Sequence, residues 1–348
     1  MRSSGKGRKK SRRILRWSLI VLAVCLFIRI FLYQTVKVQD FHMASTIMPG
    51  DRILVNKFKA GYRFPVSIVG LPGPRAPYAD WFRLPDIRFP AIKKLKRQDV
   101  IVFNHPIGAD VPVDRKKLVV SRLVGLPGDT LLIWDKQLYI NRKVVPPPET
   151  GRSEFRIVMR GEKIGDEFHK DYRIEKPRLI NDIGVYDYDL TPEAKAFLEN
   201  NDKIEAIRPI KLSIGDSKEG YYPQSSFYLW NRDQFGPLVV PSKGATVKLE
   251  IKTVDLYREI IEVHEGHELL VDFRGIRIDG LPVAEYTFEK DYYFVLDDNR
   301  DNPQDSRKIG FIPRNHILGV SGRILWNGTK QYDYLPGTEP GRILKRIR

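Results

Sequence analysis

Cysteine is almost absent: Cys25 stands alone in 348 residues. Without a second thiol there is no intramolecular disulfide and no cysteine-cluster zinc or iron–sulfur site. A body of this length folds on its own apolar core without such staples. Histidines are few and scattered; of the six, His264 and His267 come closest to sharing a metal, and their spacing matches no zinc motif. There is no Walker loop, dinucleotide fingerprint or zinc-protease helix motif, so neither cofactor nor metal is expected. Acidic residues are missing from both ends. Residues 1–16 hold eight Lys or Arg, and residues 342–348 hold four more, with no acid in either stretch. These ends supply twelve of the sixteen net positive charges, which leaves a weakly charged body. A nucleic-acid partner is therefore not expected, and anionic lipid suits the basic ends better.

One long apolar run is present. ILRWSLIVLAVCLFIRIFLY, residues 14–33, has Ser18 as the one clearly polar residue between Trp17 and Ile28. About twenty helical residues reach across a hydrocarbon core of roughly 30 Å. Arg29 lies late enough to snorkel toward an interface, and Trp17 and Tyr33 sit where interfacial aromatics belong. A cleavable signal peptide has the same basic-then-apolar order but a shorter core and a small-residue cleavage site, which the following QTVKVQDF does not supply. The expectation is a single-pass transmembrane helix over 14–33 behind a basic cytoplasmic leader, 1–13. The main body then lies on the periplasmic or external side of the cytoplasmic (inner) membrane. The tail, ending GRILKRIR, is too short to span. It either lies on lipid or is a mobile solvated end.

Strand-like segments follow. ILVNKF (53–58), DVIVFN (99–104), KLVVSRLVG (117–125), TLLIWD (130–135), QLYIN (137–141), HELLVDFRGIRI (267–278) and DYYFVLD (291–297) are rich in β-branched and aromatic residues. Helical windows are few, the best being 191–200 and 256–264. The body is expected to be mostly β. Residues 62–90 combine six prolines with Tyr62, Phe64, Tyr78, Trp81, Phe82 and Phe89. Two readings stand for this stretch: an aromatic surface resting in the lipid interface, or a long loop folded over the core. A polar, proline-containing region over roughly 146–231 reads as an inserted lobe.

Five segments resemble bacterial signal peptidase I, the membrane-anchored serine protease that removes signal peptides from exported proteins. FHMASTIMPGDRILVNK (41–57) is similar to its nucleophile box, and KRQDVIVFNHP (96–106) to the strand before the general-base box. VVSRLVGLPGD (119–129) resembles that box itself. WNRDQFGPLVVPSKG (230–244) is like a segment of larger members. FVLDDNRDNPQDSRKIG (294–310) is similar to the late signature. The resemblance implies an antiparallel β-core over 34–145 and 286–330, an inserted lobe over 146–285 continuous with it, and a tail over 331–348. It also implies a serine nucleophile with a deprotonated lysine as base, and a cleft that takes an extended peptide.

Carried over residue by residue, the resemblance loses its chemistry. Anchored on Gly50 and Asp51, the nucleophile position falls on His42 and the lysine position on Ser121. The oxyanion-binding hydroxyl becomes Asp40, the late signature's usual first glycine becomes Asp297, and the serine beside the lysine becomes Pro303. A carboxylate at position 40 repels a developing oxyanion. Asp298, Asn299, Arg300, Asp305, Ser306 and Arg307 remain, and read as a structural charge and hydrogen-bond network.

Two substitutes for the lost pair can be drawn. Ser121 attacks with His42 as base, or Ser45 acts as a shifted nucleophile with no evident base. The leading expectation is a catalytically inactive, membrane-anchored homologue that binds exported signal-peptide-bearing chains or serves a membrane protein assembly. The alternative is an active serine endopeptidase working through the rearranged Ser121/His42 site.

Overall fold

The computed structural model describes residues 4–44, 46–64, 87–91, 93–108, 111–161, 178–181, 184–216, 220–327 and 343–347. Ser45, His169 and most of the proline-rich stretch, including Tyr78, Trp81 and Phe82, lie outside the described residues.

Helix α1 (Ser4–Phe27) passes into a π-helical turn over Ile28–Leu32 before the chain extends at Tyr33. The single helix expected over 14–33 is therefore divided. Because the first part of α1 is the basic leader and the α-helix stops at Phe27, no described helix is long and apolar enough to cross a membrane. Its apolar side chains nevertheless point outward: Trp17 is 59%, Leu19 57% and Phe27 55% exposed. At its end Phe31 packs on Tyr62 with ring centroids 4.6 Å apart, and Phe27, Phe64 and Phe89 complete the aromatic group. Tyr62 is buried against the body while Phe89 is exposed.

Twenty strands follow among the described residues. β1 (Tyr33–Lys37), β2 (Asp51–Asn56), β3 (Val100–Asn104) and β4 (Leu118–Gly125) precede β5 (Thr130–Trp134), β6 (Gln137–Ile140) and β7 (Lys143–Val145). β8 (Ser153–Met159), β9 (Arg178–Asn181), β10 (Val185–Leu190), α2 (Pro192–Glu199) and β11 (Ile204–Pro209) form a separate unit. Then come β12 (Phe235–Val239), β13 (Thr246–Lys248), α3 (Ile251–Glu259), β14 (Leu269–Asp272), β15 (Gly275–Ile278), β16 (Leu281–Pro282) and β17 (Glu285–Thr287). β18 (Tyr292–Leu296), α4 (Ser306–Ile309), β19 (Ile312–Pro313) and β20 (Ile317–Asn327) close the fold.

The main sheet has the order β1-β2-β20-β3-β4-β18-β19, with every pair antiparallel. β3 and β18 are buried at every position, so both faces of the sheet's centre are covered. Gly125 is required where β4 meets β18, because a Cβ there would lie 2.8 Å from Phe294 Cβ. The next turn is tied by Asp129, whose Oδ2 accepts the Leu126 N–H at 2.7 Å, while Gly128 takes φ +88°.

A second sheet, β12-β5-β6-β7, shares the largest apolar core with α3 and β18; Phe235, Phe294 and Phe311 lie at its centre. The lobe sheet, β11-β8-β10-β9, has its own core around Ile157, Tyr188 and Leu198. The segment 267–278, read as strand, is a hairpin of β14 and β15, because the chain turns at Phe273 and Arg274. α3 starts earlier than the 256–264 window, since Glu250 and Thr253 form a capping box, and it ends in a π-helical turn over Ile260–His264. In the tail, residues 343–347 dock beside β20: Ile324 and Lys345 share a 3.0 Å backbone hydrogen bond, and Ile347 packs on the β1–β2 core.

Candidate functional site

After β1 the chain makes a tight turn, with Ala44 N–H donating to Phe41 O at 2.9 Å and Ile47 N–H to Met43 O at 2.8 Å. Met43 and Ile47 plug this turn into the core, and Asp51 Oδ2 accepts the Met48 N–H at 2.8 Å. Asn327 Nδ2 donates to the other Asp51 oxygen at 2.9 Å, which explains why Gly50 and Asp51 fix the register. The turn presents His42, half-buried, with its carbonyl accepting the Asn299 N–H at 3.0 Å. Burial lowers the His42 pKa below its ordinary value; Asp40 opposes that shift and Lys117 adds to it. Asp40 itself pairs with Lys117 at 3.0 Å.

Ser121 lies on β4 and is completely buried. Its hydroxyl donates to Asp297 Oδ1 at 2.7 Å, and no hydrogen bond joins it to His42 among the described residues. Asp297 Oδ2 accepts the Gln304 N–H at 3.0 Å, and the Asp297 N–H donates to Asp305 Oδ2 at 2.9 Å. Burial, and then the facing Asp305 carboxylate, push Asp297 well above the usual carboxylate range. Burial alone would raise Asp305 too. The Arg307 charge and its hydrogen bonds of 3.0 Å and 2.8 Å outweigh that and hold Asp305 below its ordinary value. The environment thus pushes the two facing carboxyls apart, Asp297 toward its neutral form and Asp305 toward its ionised one. Pro303 is buried in the turn between them and offers no side-chain donor.

This arrangement predicts a pH signature. A raised folded pKa contributes stability below the unfolded pKa and loses it as pH rises through the folded pKa. Asn at 297 replaces the neutral acid: its oxygen takes the Gln304 N–H and its nitrogen donates to Ser121, whose hydroxyl turns to accept. Asp297→Asn is expected to stay within about 1 kcal/mol of the unaltered protein near pH 5. It should become the more stable of the two as pH is raised from there, because Asp297 alone loses its proton. Urea unfolding across that range is the check, and a gap that does not change with pH refutes the neutral-acid assignment.

Asp298 receives Arg122 through Nε and Nη2, each at 2.6 Å, and also the Thr46 hydroxyl. Ser306 Oγ accepts the Val295 N–H at 3.0 Å. The same loop carries the lobe. Arg152 N–H donates to Asp298 O at 2.7 Å, and Arg300 N–H donates to Arg152 O at 3.0 Å. Asn299 Nδ2 reaches Asp189 of β10 at 2.9 Å, and Asp301 takes the Glu154 N–H at 2.5 Å together with Lys136 and Arg232.

Beside His42 runs a groove of about 580 Å³. One wall is β1 and the chain after it, from Gln34 to His42; the other is Lys117 to Val120. β1 has β2 as its single partner in the sheet. β4 pairs with β18 only from Arg122 onward, so among the described residues positions 118–121 have β3 as their one strand partner, and Leu118, Val119 and Val120 line the groove. Residues of β1 and of β4 therefore line the same groove. The position-by-position carry-over locates His42, Ser121, Asp40 and Pro303, but it does not pair Ser121 with Asp297 across 176 residues of chain. It also misses Lys57, Arg63 and Arg29, which line the groove as well.

Fold and site together define an antiparallel β-protein with a groove walled by β1 and β4 beside His42. A family model described as signal peptidase, peptidase S26, matches residues 11–185 and 260–326, more than half of the chain, and the chain belongs to that family. It is 24% identical over 324 residues to a signal peptidase I of Buchnera aphidicola from Schizaphis graminum, covering 93% of this chain and 77% of that protein. Over 168 residues it is 30% identical to signal peptidase I of Pseudomonas aeruginosa, covering 45% of this chain and 51% of that one. Signal peptidase I T of Bacillus subtilis is 29% identical over 168 residues, 47% of this chain and 66% of that protein.

Proposed function

We propose that this protein holds exported, signal-peptide-bearing chains in its groove without Ser/Lys hydrolysis. The observation that carries this is the contrast between the groove and its end. A groove lined by β1 and β4 has room for an extended peptide, while the lysine position is a buried serine whose hydroxyl is committed to Asp297. Asp40, although paired with Lys117, still sets a carboxylate where an oxyanion would need donors. α1 and its π-helical continuation form the lipid-embedded segment in this reading, which gives their exposed apolar side chains a cover. The basic leader stays on the cytoplasmic side and the β-body on the other.

The test is a membrane-reconstituted assay with several exported precursors. Saturable binding without product is the expected result. Product formation lost in both His42→Ala and Ser121→Ala would establish the rearranged serine peptidase instead. Absence of both binding and cleavage would shift the reading to a membrane assembly partner.

A further inference from the structure

Among the described residues the sheet β14-β15-β16 pairs with no other strand. Leu269, Ile276 and Ile278 bury one side of it in the largest core, while its tip carries Phe273, 92% exposed. The base of the hairpin is held by charge. His267, just before β14, has a carboxylate on each ring nitrogen: Nδ1 lies 2.7 Å from Asp279 Oδ2, and Nε2 lies 3.2 Å from Glu289 Oε1. Asp279 sits in the turn between β15 and β16, and its other oxygen accepts the Glu268 N–H at 2.9 Å. Glu289 sits in the turn between β17 and β18, where its N–H and that of Lys290 donate to Glu265 at 3.1 Å. Glu265 also accepts the hydroxyls of Tyr286 and Tyr292, so this turn is the fixed side. Tyr286 packs its ring edge-on to the imidazole at 6.0 Å, and the Lys290 ammonium is turned away to the His264 carbonyl. A neutral imidazole carries one N–H and cannot donate to two ionised carboxylates; an imidazolium carries two. The Asp279 hydrogen bond, and with a smaller share Glu289, raise His267 above its ordinary pKa despite partial burial. The Glu268 N–H, then His267, hold Asp279 below its ordinary value.

We infer that His267 is a proton-operated clasp: as an imidazolium it ties the β14–β16 sheet to the β17–β18 turn, and on losing its proton it releases one of them. A folded pKa raised above the unfolded one contributes stability below the unfolded value and loses it as pH rises through the folded value. A lowered carboxylate pKa works the other way, so Asp279 lets go only as pH falls through its own folded value. The clasp is closed between these limits and opens on the alkaline side of the His267 titration. Asp279 and Glu289 are each 54% exposed, so the hold is modest and screened by salt. What it controls is the stance of the tip, where the Arg274 guanidinium lies 5.3 Å over the Phe273 ring. With the clasp open, the hairpin is held by its apolar contacts and by the His267 N–H, which donates to Ile261 O at 2.9 Å. The clasp works whether or not the groove takes a peptide.

The check is hydrogen exchange of the full-length protein in neutral detergent, read by mass spectrometry and divided by the intrinsic rate at each pH from about 5 to about 8. Protection of the amides over 269–278 is expected to fall about threefold as pH rises through the His267 titration, while β18, buried at every position, keeps its protection. Salt at about 1 M should shrink that step. His267→Gln has no charge to lose and should show low protection without a step. His267→Arg keeps the charge and both donors, and should stay protected across the range. Glu289→Gln, on the surface, should make the step at least about twofold smaller, and it decides the matter if a change at 267 fails to fold. A step that is missing from the unaltered protein, or retained in His267→Gln or His267→Arg, overturns the proposal. So does a step left undiminished by Glu289→Gln or by salt.

Discussion

Arg122→Ala should lose about 3–5 kcal/mol of stability, the largest loss expected from any single change in the site. The guanidinium is 1% exposed and grips Asp298, itself 0% exposed, through two hydrogen bonds of 2.6 Å. Truncation strands a carboxylate in a closed interior, with the Thr46 hydroxyl as its remaining side-chain donor among the contacts described. Arg122→Lys keeps the charge but gives up the fork and a third bond, from Nη1 to Gln98 O at 3.0 Å, so an intermediate loss is expected. Urea or guanidinium unfolding measures both. Destabilisation below about 1 kcal/mol for Arg122→Ala would show that the pair is solvated or dispensable. The double change Arg122→Met with Asp298→Leu should recover much of the loss, because it leaves no unpaired charge.

Rebuilding peptidase activity is the second large effect, and it hinges on Asp297. His42→Ser with Ser121→Lys restores the ordinary pair in name. With Asp297 in place, however, the new ammonium meets the carboxyl that now accepts Ser121 at 2.7 Å. That carboxyl ionises against a lysine and holds it protonated, so no base is available at neutral pH. Adding Asp297→Gly removes the trap and opens room for the longer side chain. Asp40→Ser and Pro303→Ser then supply the missing donors. Precursor cleavage is expected in the five-fold variant and at least about 100-fold less when Asp297 is kept, the scale of a general-base contribution. Equal activity with and without Asp297 would remove that residue from the account.

Much of this site was legible because its signals are local. Gly50 with Asp51, and the GLPGD turn with Gly128 and Asp129, mark turns closed by short-range hydrogen bonds, and such turns are visible in the sequence. The strands showed through alternation in β2 and β5 and through continuous apolar character in β3 and β18. What stayed hidden depends on distant partners. Ser121 meets Asp297 only when β4 and β18 lie side by side, and Lys57 joins the groove lining only because β1 and β2 run antiparallel. The division of the apolar run at Phe27 has no proline or glycine to announce it. Ile28–Leu32 is as apolar as the turn before it apart from Arg29, and the change from α- to π-helical pairing is confined to the backbone.

The loop from Asp298 to Asp301 is a coupling between two bodies. It takes Arg152 on its backbone, Asp189 on Asn299 and the start of β8 on Asp301, while Arg122 bolts it to the main sheet. Loosening it would let the lobe swing free, whether or not any bond is ever cleaved beside it. In this chain the signature thus spans the joint between the main sheet and the sheet of β8 and β10, through bonds that involve no reaction.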